Sequence, residues 1–414
     1  MQRRLFLAAA AGLAAVTQIP FVQAKGKENG APTRTCSLSG VPSSTKSRFA
    51  PLISGKAPGT LLSREEIEVS ITGARAWKVR YISKDVNGVL HEVSGLVIAP
   101  KAAGSNRKLL TWCHGTTGLG DAACPSAQPG PVRDLITYFD APSTQQIDYG
   151  VPGLQSWIND GYVVCASDYQ GQGTPGQHQY EVNRTQARDA VYLARVARQM
   201  ELGAGSKLGC AGWSQGGGAA IAVAELDAAD YGDLNLVGSV TMSPVSTAAL
   251  FDSPSGPSAM GSDPTKPPEI HVAMMLAGLQ VANPDILNLS DFFTPLGVEI
   301  IETAWNIQPV HHLGDTIDRL CLLKGPVMQA KPANLVSWKE AVAAASAATR
   351  KSTAPVLLCM DNGVFNPLVW QQDLANKFKT LGGSIQVKHY PNDDHFSLPN
   401  SCAPEARTWL NGLF

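Results

Sequence analysis

The sequence has few charged residues and no excess of either sign. Of its 414 residues, 33 are Lys or Arg and 34 are Asp or Glu, together 16%. This balance excludes an intrinsically disordered chain, which has more charge and fewer apolar residues than the 44% found here. A pI near 6.7 without a basic stripe argues against nucleic acid as a partner. The 39 glycines and 28 prolines follow no period, so the chain is not collagen-like.

Long apolar runs are also missing. After the N-terminal region, no segment reaches the roughly 18 uninterrupted apolar residues of a membrane helix, so no stable membrane span is expected. The N-terminus has Arg3-Arg4 followed by the apolar run Leu5–Val16, which is too short to span a bilayer and is typical of an export signal cleaved after Ala24. Arg3 to Leu7 is similar to the bacterial twin-arginine motif, with ordinary Sec export as the alternative. We therefore expect residues 1–24 to be removed and the mature protein to be secreted or periplasmic.

The eight cysteines form no CxxC pair, which argues against a zinc or thioredoxin-like site. Four lie in apolar runs typical of buried strands and are expected to be free thiols: Cys113, Cys165, Cys210 and Cys359. The other four lie in predicted loops or helix flanks and are candidates for disulfides in an exported protein: Cys36, Cys124, Cys321 and Cys402. The sequence leaves their connectivity open.

Short apolar runs that alternate with helical segments predict the fold class. Asn87-Gly88 marks a hairpin turn near the start of the domain. Nine strands are predicted, at residues 66–71, 77–83, 90–98, 109–113, 162–166, 207–211, 237–242, 355–360 and 384–390. Helices are predicted at residues 186–200, 215–226, 368–381 and 404–413. This order predicts an α/β fold, with a mostly parallel sheet, helices on both faces and an antiparallel edge.

One long interval breaks this alternation. The segment between Met242 and Pro355 has no convincing strand, and a structureless loop of that length is rare in a compact domain. It contains helical patterns at residues 271–281, 295–305, 316–323 and 333–349. We therefore expect a helical cap at residues 246–352, inserted in a core of residues 65–245 and 353–414. An arm without regular structure is expected at residues 25–64.

A candidate nucleophile follows the strand at residues 207–211, in the sequence Gly212-Trp213-Ser214-Gln215-Gly216. In a nucleophile elbow, a serine stands on a sharp turn between a strand and a helix. Glycine two residues before and after the serine removes clashes with the sheet and the helix. The pattern therefore predicts Ser214 as the nucleophile, and a glycine-rich turn without chemistry is the alternative.

The segment His114–Gly118 directly follows another predicted strand, 109–113. A serine that transfers an acyl group needs two N–H groups aimed at the developing oxyanion. One is expected from Gln215, the residue after the nucleophile, and the other from Thr116 in this segment. His114 precedes the turn and is expected to brace it.

The catalytic base is predicted to be His395. The chain order Ser, Asp, His places the histidine between the last strand and the last helix, where His395 lies. The acid should follow the strand at 355–360, and Asp361 is the first residue after it. The alternative for Asp361 is an Asx turn with Asn362-Gly363, and Asp252 is the reserve candidate for the acid.

These motifs together resemble the α/β-hydrolase fold, and more narrowly the secretory lipase family of fungi and bacteria. The resemblance also rests on the segments 58–63 (PGTLLS) and 167–173 (SDYQGQG). It implies ester hydrolysis, often of acylglycerols, by Ser214, His395 and an aspartate beneath a helical cap. It also implies a disulfide between Cys124 and Cys321. In the family the aspartate comes a few residues later, before a Val-Pro step, so Asp361 would act from an earlier position.

The sequence therefore predicts a secreted serine carboxylic-ester hydrolase, either a lipase or a carboxylesterase, that forms an acyl-enzyme on Ser214. No metal or organic cofactor is expected. The substrate would be a small-molecule or lipid ester, with transient contact to a lipid interface. The alternatives are an acyltransferase with the same triad and a non-catalytic binding protein on the same scaffold.

Three further expectations concern the surroundings of the site. Asp168 follows a strand at the same end of the sheet and is expected to shape the site without serving as the acid. Met274, Met275 and Leu279 would line either the cap's own core or a channel for the acyl chain. Acyl chain length, the alcohol part of the substrate and the oligomeric state are left open.

Overall fold

The computed structural model describes residues 44–140, 143, 147–253, 256 and 265–414. The predicted export signal at residues 1–24, the first part of the predicted arm and Cys36 lie outside the described residues.

One sheet of nine strands forms the centre of the part that the structure describes. Along the sheet the strands follow the order β1-β2-β3-β5-β4-β6-β7-β8-β9. The pairs β1/β2, β2/β3 and β3/β5 are antiparallel, and all later neighbours are parallel. The strands are β1 Leu61–Ile67, β2 Ala74–Lys84, β3 Leu90–Pro100, β4 Arg107–Cys113, β5 Val163–Ser167, β6 Ala204–Trp213, β7 Asn235–Met242, β8 Val356–Met360 and β9 Ile385–His389. The predicted mostly parallel sheet with an antiparallel edge is confirmed.

Helices cover both faces of this sheet because its parallel strands are apolar on both sides. In β4, Leu109 faces a buried cluster that includes Val191 and Ile221, whereas Leu110 faces a second one that includes Trp157 and Leu410. The helices connecting or following the strands are α1 Leu154–Asn159, α2 Asn183–Gln199, α3 Gln215–Val223, α4 Ala228–Tyr231, α10 Leu368–Thr380 and α11 Leu398–Asn411. The α/β-hydrolase architecture predicted from the sequence is therefore the observed one.

The segment between β7 and β8 folds into helices whose buried core consists mostly of their own side chains. These are α5 Thr247–Phe251, α6 Ile270–Ala282, α7 Pro295–Ala304, α8 Val310–Lys324 and α9 Leu335–Ala345, and we call them the cap. Met274, Met275 and Leu279 are fully buried in a cluster that includes Phe292 and Trp338. These three side chains therefore lie in the cap's own core, the first of the two predicted roles.

Two predicted boundaries are wrong. The arm was expected to lack regular structure through residue 64, but β1 begins at Leu61 and pairs with β2. The polar, exposed run Ser63–Glu66 hides this strand in the sequence, because an exposed edge strand does not need apolar residues. The last helix begins at Leu398, so Pro404 lies inside it and does not mark its first turn.

The disulfide between Cys124 and Cys321 is not formed, and the seven cysteines that the structure describes are free and buried. The Cys124 thiol lies 3.7 Å from the Ser126 hydroxyl, whereas the Cys321 thiol faces the Thr265 carbonyl at 3.3 Å. Cys402, another predicted pairing candidate, is fully buried in α11. These thiols pack as small apolar side chains.

Candidate active site

Ser214 stands on the sharp turn between β6 and α3. Its φ is +57°, in a region that residues with a Cβ rarely adopt. Added Cβ atoms would collide at both flanking glycines, at Gly212 with the Gly216 carbonyl and at Gly216 with the Cys113 carbonyl. The N–H of Ser214 donates to the Met242 carbonyl at 3.0 Å, which ties the turn to the end of β7. The two glycines therefore permit the turn that places the serine hydroxyl at the carboxyl end of the sheet.

The structure brings Ser214, His395 and Asp361 together. The Oγ of Ser214 lies 2.9 Å from Nε2 of His395, and Nδ1 of the same ring lies 3.3 Å from Oδ2 of Asp361. The relative exposures of the three residues are 5%, 2% and 0%. The indole N–H of Trp213 donates to the His395 carbonyl at 2.9 Å and helps to fix the position of this loop.

Asp361 is held by more donors than the histidine alone. Its Oδ1 accepts from the Gly363 N–H and from Nε2 of Gln371, both at 2.9 Å, and its Oδ2 accepts from the Ser243 hydroxyl at 2.7 Å. Burial raises the pKa of Asp361, but the hydrogen bonds from His395, Gln371 and Ser243 outweigh burial and hold the pKa below its ordinary value. The bond from the Gly363 N–H forms the Asx turn that the sequence offered as the alternative role of Asp361. The same carboxylate therefore forms this turn with Oδ1 and faces His395 with Oδ2.

His395 is neutral over a wider pH range than an ordinary histidine. Burial lowers its pKa, and the hydrogen bond and negative charge of Asp361 oppose this effect only in part. An ionised carboxylate only accepts hydrogen bonds, so the neutral ring carries its proton on Nδ1. The lone pair on Nε2 therefore faces the hydroxyl of Ser214.

The segment His114–Gly118, which we call the 114–118 loop, lies directly against the first turn of α3. A Cβ at Gly216 would collide with the His114 carbonyl. Gln215 is the first residue of α3, so its N–H has no acceptor within the helix and points out of the positive helix end. Thr116 is buried in the loop, with its Oγ1 2.9 Å from the Tyr180 hydroxyl.

The side chain of Gln215 is anchored away from the reacting groups. Its Nε2 lies 2.6 Å from Nε2 of His178, whose Nδ1 lies 3.2 Å from the Gln170 carbonyl. Burial lowers the pKa of His178 to about 3, so this ring is neutral. It donates from Nδ1 to Gln170 and accepts from Gln215 at Nε2.

His114 and Asp168 support the loops around the site. Nδ1 of His114 lies 2.7 Å from the Gly115 carbonyl, and its ring packs on Tyr169 with centroids 4.3 Å apart. Asp168 accepts from the hydroxyls of Ser94 and Ser126 at 2.7 and 2.6 Å. Asp168 therefore connects the end of β5 to β3 and to the turn that contains Ser126, whereas the carboxylate that faces His395 is that of Asp361. The reserve candidate Asp252 lies at the end of α5 in the cap.

Aromatic rings surround His395. Phe365 stacks on the His395 ring with centroids 4.6 Å apart, and Phe139 contacts Phe396 at 4.6 Å. Phe139 and Phe365 are 53% and 46% exposed, although both contact this cluster. They form an apolar rim beside the reacting groups.

Ser243, Gln371 and Phe365 were not predicted from the sequence. Ser243 directly follows β7, at the same sheet end as Ser214 and Asp361, and this position was a usable signal. Gln371 and Phe365 follow no motif, because they depend on how α10 and the preceding loop pack.

Within the described ranges, no group of three or more His, Cys, Asp or Glu side chains could hold a metal ion. Over the same residues, the structure contains no helix with the length and apolar character needed to cross a membrane.

Comparison with known families finds a match over part of the chain. Residues 139–252 match the secretory lipase family. This segment includes the elbow, Ser214 and the start of the cap, and the match confirms the resemblance seen in the sequence motifs. Together with the fold, it assigns the chain to the carboxylic-ester hydrolases. No curated protein sequence matches the chain.

Solved structures share the fold at low sequence identity. The rice cell wall degrading esterase LipA from Xanthomonas oryzae is 20% identical, with a TM-score of 0.64 over 87% of this chain and 100% of the esterase. Candida antarctica lipase A is 14% identical, with a TM-score of 0.63 over 87% of this chain and 83% of the lipase. A putative hydrolase from Legionella pneumophila is 18% identical, with a TM-score of 0.60 over 85% and 97% of the two chains.

Proposed function

We propose that this chain is a secreted serine carboxylic-ester hydrolase that acts through Ser214, His395 and Asp361 and forms a covalent acyl-enzyme. The observation that carries this proposal is the 2.9 Å distance between Ser214 Oγ and His395 Nε2 on a strained strand-to-helix turn. At this distance the neutral ring accepts the hydroxyl proton while the oxygen attacks the ester carbonyl.

The acid stabilises the charge that this proton transfer creates. When His395 becomes an imidazolium, the Asp361 carboxylate at 3.3 Å offsets its positive charge and keeps Nδ1 oriented. The low pKa of Asp361 keeps the carboxylate ionised throughout the reaction.

The developing oxyanion is assigned to the N–H groups of Gln215 and Thr116. The Gln215 N–H lies at the start of α3, where it has no acceptor within the helix. Anchoring of the Gln215 side chain by His178 and of the Thr116 hydroxyl by Tyr180 supports a rigid oxyanion site. After the alcohol leaves with the proton from His395, the same ring activates a water molecule that releases the acid.

Localisation outside the cytoplasm is part of this proposal. The N-terminal Arg3-Arg4 and the apolar run that follows support export, and the family match supports secretion. Sequencing of the exported protein should find Lys25 as the first residue. Replacement of both arginines by lysine should block export only if the twin-arginine route is used.

The choice between lipase and esterase is tested with a chain-length series of p-nitrophenyl esters beside an emulsified triglyceride. We expect ester hydrolysis by the wild type and a loss of several orders of magnitude in Ser214→Ala. An added alcohol separates hydrolysis from acyl transfer, because a transferase would yield a new ester. Retained activity in Ser214→Ala would contradict the proposal.

A further inference from the structure

Ser243 lies at the carboxyl end of β7, between the predicted acid and the predicted base. It is fully buried, and its N–H donates to the Cys359 carbonyl of β8 at 2.8 Å. Its φ is +41°, a backbone conformation that a serine adopts only at a cost and that glycine adopts freely. A strained residue that is held in place this firmly is a candidate for a functional role.

The hydroxyl of Ser243 touches both partners of the acid–base pair. It donates to Oδ2 of Asp361 at 2.7 Å, and its oxygen lies 2.9 Å from Nδ1 of His395. Nδ1 is therefore closer to Ser243 than to Asp361, which lies at 3.3 Å. The side-chain amide of Asn366 donates to the Ser243 carbonyl at 3.1 Å and approaches its hydroxyl at 3.3 Å.

The available protons allow the Ser243 hydroxyl to hydrogen-bond to Asp361 and His395 at the same time. The single Ser243 hydroxyl proton points to the Asp361 carboxylate, which has no proton to give. The oxygen lone pairs then accept from Nδ1–H of His395 and from Asn366. Each donor in this set has an acceptor, so the Nδ1–H of His395 is shared between the carboxylate and the hydroxyl.

We propose that Ser243 is a positioning residue for the hydrolysis reaction, because its hydroxyl bridges Asp361 to Nδ1 of His395. This inference rests on the proposed function. The bridge fixes the ring so that Nε2 faces Ser214, and it adds an acceptor for the imidazolium that forms when the serine attacks. Without the hydroxyl, a buried Nδ1–H would have only the longer contact with Asp361.

The test compares Ser243→Gly and Ser243→Ala with Ser239→Ala in full-length protein. Ser243→Gly removes the hydroxyl and relieves the positive φ, so it should not lower the melting temperature as a lost core contact would. Ser239 is the matched control, because it is a fully buried serine within β7, the strand that Ser243 follows, and its hydroxyl donates to the Ala220 carbonyl at 2.7 Å, away from His395.

Loss of a hydrogen bond to a charged group should reduce kcat of both Ser243 variants by about 10- to 100-fold with little change in KM. Ser239→Ala should keep the wild-type kcat. A second readout is the downfield proton resonance of Nδ1–H, assigned by its absence in His395→Ala. It should shift or disappear in Ser243→Gly and stay unchanged in Ser239→Ala.

Three results separate this inference from the function on which it rests. Wild-type kcat and an unshifted resonance in Ser243→Gly would overturn the positioning role. An equal loss of kcat in Ser239→Ala would also overturn it, because the effect would then be general to buried serines in and beside β7. If Ser214→Ala stays active, the proposed function itself fails.

Discussion

The backbone N–H of Val310 donates to the carbonyl of Thr117 at 2.9 Å, and this bond joins the cap to the 114–118 loop. Gly118 and Pro309 form a β-bridge beside it. The N-terminal end of α8 therefore contacts the loop next to Thr116, the residue proposed to hold the oxyanion. Because of this contact, a substitution that distorts the cap should change the positions of the reacting groups as well as the binding of substrate.

The identity of the acid is tested by comparing Asp361→Asn with Asp252→Asn. Asparagine at 361 keeps the size of the side chain but removes the charge that orients and stabilises the His395 imidazolium. We expect kcat to fall by up to about 10⁴-fold in Asp361→Asn and to change little in Asp252→Asn. The melting temperature of both variants should be unchanged. A normal rate in Asp361→Asn would rule out this acid.

The pH dependence of activity follows from the state of His395. The neutral ring is the active form, so kcat/KM falls as the pH drops through its pKa. Burial lowers this pKa below the ordinary value of 6.5, so activity should persist below that pH. Rates on a soluble ester between about pH 4 and about pH 8 should therefore give an acid-side midpoint under 6.5. A midpoint at or above 6.5 would show that burial does not lower the pKa of His395.

Met275→Lys tests the role of the cap core. Met275 is fully buried, so an unpaired ammonium there should destabilise the protein by more than about 3 kcal/mol. Through the bond between Val310 and Thr117, it should lower the hydrolysis of short and long esters alike. Leu322→Lys is the control, because Leu322 is 80% exposed on α8 and should tolerate the charge. A selective loss with long-chain esters at normal stability would instead indicate an acyl channel.

Glu181 should make the protein less stable at alkaline pH. Burial raises its pKa from 4.5 to about 8, although the Thr247 hydroxyl donates to its Oε2 at 3.0 Å. The folded state therefore holds this proton more tightly than the unfolded state, and its contribution to stability is lost as the pH rises through about 8.

Glu181→Gln keeps the acceptor for Thr247 and removes the titration. When the pH rises from about 5 to about 9, the free energy of unfolding should fall in the wild type. The fall should be smaller in the variant by at least about 1 kcal/mol. Denaturant unfolding at both pH values measures this difference. Other buried acids titrate in both proteins, so the comparison isolates Glu181. Parallel pH profiles would contradict its raised pKa.

The sequence was sufficient to predict the fold class and the candidate residues Ser214, His395 and Asp361. Glycine spacing, chain order and the ends of apolar runs are local signals, and the parallel sheet gathers those ends at one edge. Ser243 was not predicted, because its role depends on β7 and β8 being neighbours and on a positive φ. The pairing of Cys124 with Cys321 came from resemblance alone, and the structure places these thiols against different partners. The start of β1 was missed because an edge strand can be polar.

The most direct test of the central claim is covalent labelling of the nucleophile. A p-nitrophenyl phosphonate transfers one phosphonyl group to an activated serine and releases p-nitrophenol. Mass spectrometry of the intact wild-type protein should show the addition of a single phosphonyl group, located by peptide mapping to Ser214. Ser214→Ala should stay unlabelled, and His395→Ala should label far more slowly because the base is missing. Labelling of another residue, or equal labelling of Ser214→Ala, would contradict the account.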